Sequence, residues 1–220
     1  GVQTCALPIF ENKDKQLLYP IGVDDLFIAM WTQPETVTSA PVFDTEIWRL
    51  PNIVKLGIKG NGTTKEKWAS NKLFTRVSRE TQHELSLTHV SFPVALWDQM
   101  KGMASKNGVA FSKSTPKEMP YFALGAIGPL SNGEKSAFWY PKVQISIATE
   151  HELETTTEDI DVKDISLTMT ATGLLMNDVI KSDYNSVRST VTDMTVEKFM
   201  SEVIYDEAQL ETAPPTGGTE

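Results

Sequence analysis

The sequence predicts a mainly β protein: a β-sandwich or barrel of antiparallel strands with one mid-chain helix, a long inter-strand loop and a C-terminal helix. Short apolar runs with two-residue alternation recur along the chain, and turn residues separate them. Helix-period patterns occur only twice. Strands do not alternate with helices, so repeated βαβ units are not expected.

Asp25 to Thr32 is a dense β-favouring run closed by Pro34. Glu46 to Lys59 supplies Ile47, Trp48, Ile53, Val54, Leu56 and Ile58, with Pro51 implying an edge or a bend. Glu84 to Phe92 alternates, with Leu85 and Leu87 on one face and Ser86 and Thr88 on the other, as in a half-exposed antiparallel strand. Pro93 opens a short helix to Ala104, with Ser91 as a candidate cap and Val94, Leu96, Trp97, Met100 and Met103 as its apolar side. Val109 to Ser112, Tyr121 to Ile127 and Ser136 to Ala148 read as strands, the last two joined by the turn Ser131-Asn132-Gly133-Glu134. Asp164 to Thr172 alternates Ile165, Leu167 and Met169 with Ser166, Thr168 and Thr170. Val196, Phe199, Met200, Val203 and Ile204 recur at helical spacing, placing a helix over 195–206 with Asp193 or Thr195 as its cap.

Length and composition fit a single domain over residues 10–212. Gly1 to Ile9 reads as a non-native leader, and Ala213 to Glu220 as a disordered Pro/Gly/Thr tail. No stretch approaches the ~18 apolar residues of a membrane-spanning helix. The net charge of −9 argues against a basic nucleic-acid binder. The charge is uneven: residues 150–220 carry sixteen carboxylates and four basic residues, whereas residues 1–149 are net +3. The single cysteine, Cys5, excludes an intrachain disulfide and a cysteine-based zinc cluster.

Two segments stand apart. Lys59 to Glu80 holds six basic and two acidic residues without apolar periodicity, and is expected to be an oversized loop of the kind that usually carries function. Glu150 to Asp161 holds six carboxylates and no Lys or Arg. No phosphate loop, nucleophile elbow or HExxH motif occurs. His83 and His89 share one strand face but lie ~20 Å apart, too far to bind one metal. His151 with Glu150, Glu152 and Glu154 reads as an acidic loop before it reads as a cation cradle, and Asp159, Asp161 and Asp164 lack the glycine and glutamate of a calcium loop. Of the five tryptophans, Trp31, Trp48, Trp97 and Trp139 are assigned to packing, and Trp68 to an interface. No catalytic set, cofactor site or metal site is expected.

The order of these elements resembles the major tail tube proteins of long-tailed, siphovirus-type bacteriophages. The features that carry the resemblance run from about Val23 to Met176. They are the early strand Leu26 to Trp31, the hydrophilic excursion within Ile53 to Arg79, Gln82-His-Glu-Leu-Ser-Leu-Thr-His, and the helix after Pro93. The hairpin Tyr121-Phe-Ala-Leu-Gly-Ala to Ala137-Phe-Trp-Tyr-Pro-Lys-Val-Gln-Ile follows. The acidic-threonine turn Glu152 to Asp161 then leads into Asp164-Ile-Ser-Leu-Thr-Met-Thr-Ala-Thr-Gly-Leu-Leu. The late helix is not part of that pattern.

The resemblance implies a non-enzymatic virion protein, made in the bacterial host cytoplasm, that forms stacked hexameric rings. It implies further tail partners (tape measure, tail terminator and distal tail proteins) and a lumen through which DNA passes without sequence-specific binding. A net acidic lumen is expected, because a wall that bound phosphate would slow ejection. The alternative is a non-catalytic β-sandwich binding module, either a baseplate or tail-completion protein or a carbohydrate-binding, adhesin-like one. Charge complementarity suggests an inter-ring interface in which Lys65, Lys67, Lys72 and Arg76 face Glu152, Glu154, Glu158 and Asp159, with Trp68 and Phe74 as apolar anchors.

Overall fold

The computed structural model describes residues 15–115, 117–146 and 164–210. The first strand, β1 (Asp25–Gln33), pairs on one side with β8 (Phe122–Pro129). Its other side is shared between β2 (Val42–Phe43) and β3 (Trp48–Leu50). A long hairpin follows, β4 (Ile53–Ala69) and β5 (Lys72–His89), then helix α1 (Val94–Met100) and a two-residue ladder of β6 (Ser105–Lys106) with β7 (Val109–Ala110). Next to β8 runs β9 (Lys135–Ile145), then β10 (Ile165–Thr172) and β11 (Ser182–Asn185). All pairings are antiparallel, in the order β2-β1-β8-β9-β10-β5-β4. The sheet forks at β9, whose residues 143–145 pair with β10 while 136–139 pair with β11. The chain closes with α2 (Val196–Met200) and a 3-10 turn at Glu207–Leu210.

The central strands are buried on both faces, so the fold is sandwich-like. Leu26, Ile28 and Met30 of β1, Phe122 and Leu124 of β8, and Leu85 and Leu87 of β5 enter one cluster, which Leu96 and Met100 of α1 cover. On the opposite face, Ala29, Ala123 and Ala137 leave space for Trp139 and for Val196, Phe199, Met200, Val203 and Ile204 of the C-terminal segment. β8 encodes both faces by alternating large and small residues, Phe122-Ala-Leu-Gly. A Cβ on Gly125 would lie 2.7 Å from both the Met200 methyl and the Trp139 ring. Gly125→Val should therefore destabilise the protein by about 1–3 kcal/mol through overpacking, read as a lower urea midpoint at unchanged slope.

Several expectations are corrected. Residues 59–80 do not form a loop; they are the distal arms of the β4–β5 hairpin, paired down to Ala69 with Lys72. The apolar alternation that marks a strand requires one buried face, and here both faces meet solvent. Ser70 and Asn71, with φ of 51° and 57°, supply the left-handed pair of a tight two-residue turn. The C-terminal helix is shorter than 195–206, ending at Met200; Val203 and Ile204 are buried from irregular chain beyond it. Thr195 is its cap, its hydroxyl accepting from the Lys198 amide at 3.2 Å. α1 covers 94–100 rather than 93–104, and Ser91 does not cap it. The strand expected at 109–112 is the two-residue β7. The leader 1–9, the acidic segment 150–161 and the tail 213–220 lie outside the described residues.

Candidate assembly interface

β5 is held by β10 only as far as Gln82, which pairs with Thr172. Beyond that point, among the described residues, β4 and β5 pair only with each other. From Gly62 to Ala69 the β4 arm extends roughly 27 Å as a free two-stranded ribbon. An isolated ribbon is marginally stable in water. Cross-strand contacts help to hold this one: Glu66 lies 3.6 Å from Arg76, and the Thr64 and Ser78 hydroxyls are 3.0 Å apart.

Strand alternation and the observed register divide the ribbon into two chemically different faces. Glu66, Trp68, Leu73 and Arg76 share one, and Phe74 is the extra, unpaired residue of a bulge beside Leu73. Lys65, Lys67, Thr75 and Val77 share the other, together with Arg79 at the base and Lys72 opposite Ala69 at the tip. Both rings are open to solvent, with Trp68 63% and Phe74 72% exposed. The Arg76 charge is partly offset by Glu66, whereas no carboxylate stands among Lys65, Lys67 and Lys72 on the other face. At the base, Arg79 approaches Asp178 to 3.6 Å.

Six of the residues expected at the interface, Lys65, Lys67, Trp68, Lys72, Phe74 and Arg76, therefore lie on one projecting element. The structure separates them in a way the sequence did not suggest, with the lysines and Trp68 on opposite faces and Phe74 at a bulge. A single flat partner surface could not meet both. Their expected acidic counterparts, Glu152, Glu154, Glu158 and Asp159, lie outside the described residues. Exposed Leu73 and Val77 add apolar surface to the ribbon; Val77 stands between Arg76 and Ser78 and gives no periodic signal in the sequence. Among the described residues, no strand pairs with the outer edge of β4.

The other tryptophans pack as expected: Trp139 is fully buried, and Trp31, Trp48 and Trp97 are half-buried. A cavity of about 280 Å³ between β11 and the C-terminal segment includes Tyr184 and Phe199 in its lining. Those two rings stack on each other, with centroids 5.5 Å apart, instead of presenting a platform to a ligand. Among the described residues, no three His, Cys, Asp or Glu side chains come together as a metal site, and no helix is long and apolar enough to cross a membrane. No protein-family model matches the chain, and no curated protein matches it either.

Proposed function

We propose that this chain is a structural subunit that polymerises as stacked rings into a phage-type tail tube, a conduit for DNA. The observation that carries this reading is the free ribbon: a two-faced arm of about 27 Å that no part of the described chain covers. The outer edge of β4, 17 residues long and paired with no described strand, supports it further, because a long open edge favours pairing with another chain. Charge indicates what the arm would meet. Residues 59–80 are net +4 in a chain of −9, so the remainder carries −13 and presents copies of itself as an acidic partner. With Lys65 and Lys67 on one face and Trp68 on the other, the arm suits a cleft between two neighbouring subunits, each wall taking one face.

Negative-stain electron microscopy of the purified protein tests the reading, with rings or tubes of one diameter as the expected result. Particles that remain monomeric at every concentration would refute it and favour a monomeric binding module. Stacking should weaken as salt rises toward ~1 M, where the screening length falls to ~3 Å, while single rings persist.

A further inference from the structure

The ribbon joins the body through a group of residues that differs from both. At the junction β5 carries one extra residue, Thr81, between the pairs Asn61–Gln82 and Gly62–Glu80. The Thr81 hydroxyl donates to the Asn61 carbonyl at 3.2 Å. Glycines stand at 60 and 62 on the facing strand. A bulge beside two glycines is a place where a ribbon can bend.

Beneath this point His83 is buried in the body, with Ala171 of β10 beside it in register. Its Nδ1 lies 2.9 Å from the hydroxyl of Tyr140 on β9. Burial, followed by the charges of Asp183 and Glu80, pushes the Tyr140 pKa well above its ordinary value. The two groups share one hydrogen, its direction set by the imidazole tautomer. The other ring nitrogen, Nε2, has no aligned hydrogen-bond partner, and a Glu80 carboxylate oxygen lies 2.8 Å from it. Gly60 makes room for this approach: a Cβ there would sit 3.1 Å from the same Glu80 oxygen. Glu80 belongs to the ribbon and His83 to the body, so one contact crosses the bend.

We infer that Glu80, His83 and Tyr140 form a latch that sets the angle of the ribbon about a hinge at Gly60, Gly62 and Thr81. The inference deepens the proposed function, because an arm that must enter a cleft on a neighbour docks faster when its direction is fixed beforehand. Arg79, 3.6 Å from Asp178, is a second and more exposed tether on the same side of the hinge.

The test is a distance measurement on the isolated subunit. Spin labels at Thr75→Cys on the ribbon and Thr192→Cys on the body, in a Cys5→Ser background, report the ribbon angle by pulsed electron resonance. Labelled protein diluted into unlabelled protein keeps the signal within one chain. The unaltered latch should give a narrow distribution. Glu80→Gln removes the charge, and Glu80→Ala removes the carboxylate; each should broaden the distribution by about twofold with an unchanged melting temperature. A distribution already broad with the latch intact, or variants that superimpose on the parent, would overturn the latch. Broadening accompanied by a lower melting temperature would also overturn it, since the cluster would then be serving the core. Microscopy of the same proteins separates the two ideas: absence of tubes refutes the assembly reading while the distance result stands.

Discussion

Reversing Lys65, Lys67 and Lys72 to Glu together should abolish elongation without unfolding the subunit. All three lie on the basic face of the ribbon, where strand pairing gives them no acidic neighbour, and the residues of β4 and β5 around them are exposed. Nothing in the core depends on them, so the melting temperature and circular dichroism should match the parent. An individual exposed ion pair contributes little, but three reversals turn attraction into repulsion at every repeat of a ring. The concentration needed for tube formation should rise by at least about tenfold, measured by sedimentation and electron microscopy. Tubes of normal length at the parent concentration and salt tolerance would show that the basic face takes no part in assembly. Trp68→Ala tests the opposite face in the same way, and loss of assembly in only one of the two proteins would show that a single face docks.

The largest expected effect on the fold itself comes from Phe199→Ala. Phe199 is 4% exposed and stacks on Tyr184 with the ring planes 27° apart. Its backbone carbonyl accepts the Trp139 indole N–H at 3.0 Å, and neighbouring Met200 packs in the same cluster. Side-chain donors bind further carbonyls of the segment: Tyr184 to Met194 at 3.0 Å, Ser182 to Ile204 at 2.6 Å and Asn177 to Tyr205 at 2.9 Å. The C-terminal segment is thus a strap across the back of the sheet, and Phe199 is its buried aromatic anchor. Removing the ring should cost about 3–5 kcal/mol in chemical denaturation. Trp139 fluorescence should shift to the red as the strap loosens. A loss below about 1 kcal/mol would mean that the strap is held by its backbone bonds alone and that the ring adds little.

The sequence by itself determined the strands with at least one buried face. The inner half of β5 and β10 announce themselves by alternation, one face buried and one toward solvent, whereas β1, β8 and β9, buried on both faces, announce themselves as apolar runs. It also determined the turn before β9, where Gly133 takes a φ of 84°, and the packing of Trp139 against the exposure of Trp68. The basic ribbon residues were legible as unusual by charge. Their conformation was not, since a ribbon wet on both faces leaves no apolar period, and Lys65 and Lys67 face away from Trp68 only because the segment is a strand.

Tertiary structure alone decided the rest. β2 and β11 are strands because β1 and β9 offer them free edges, not because two or four residues carry a strand signal of their own. The apolar period of 196–204 suggested a long helix, yet the chain leaves the helix after Met200 and still buries Val203 and Ile204. Burial against the back of the sheet requires apolar residues there; it does not require them to be helical. The Glu80–His83–Tyr140 contact joins residues 57 apart along the chain. Local pattern cannot encode such a contact, because it depends on β10 standing between β5 and β9 and on a glycine that leaves the carboxylate room.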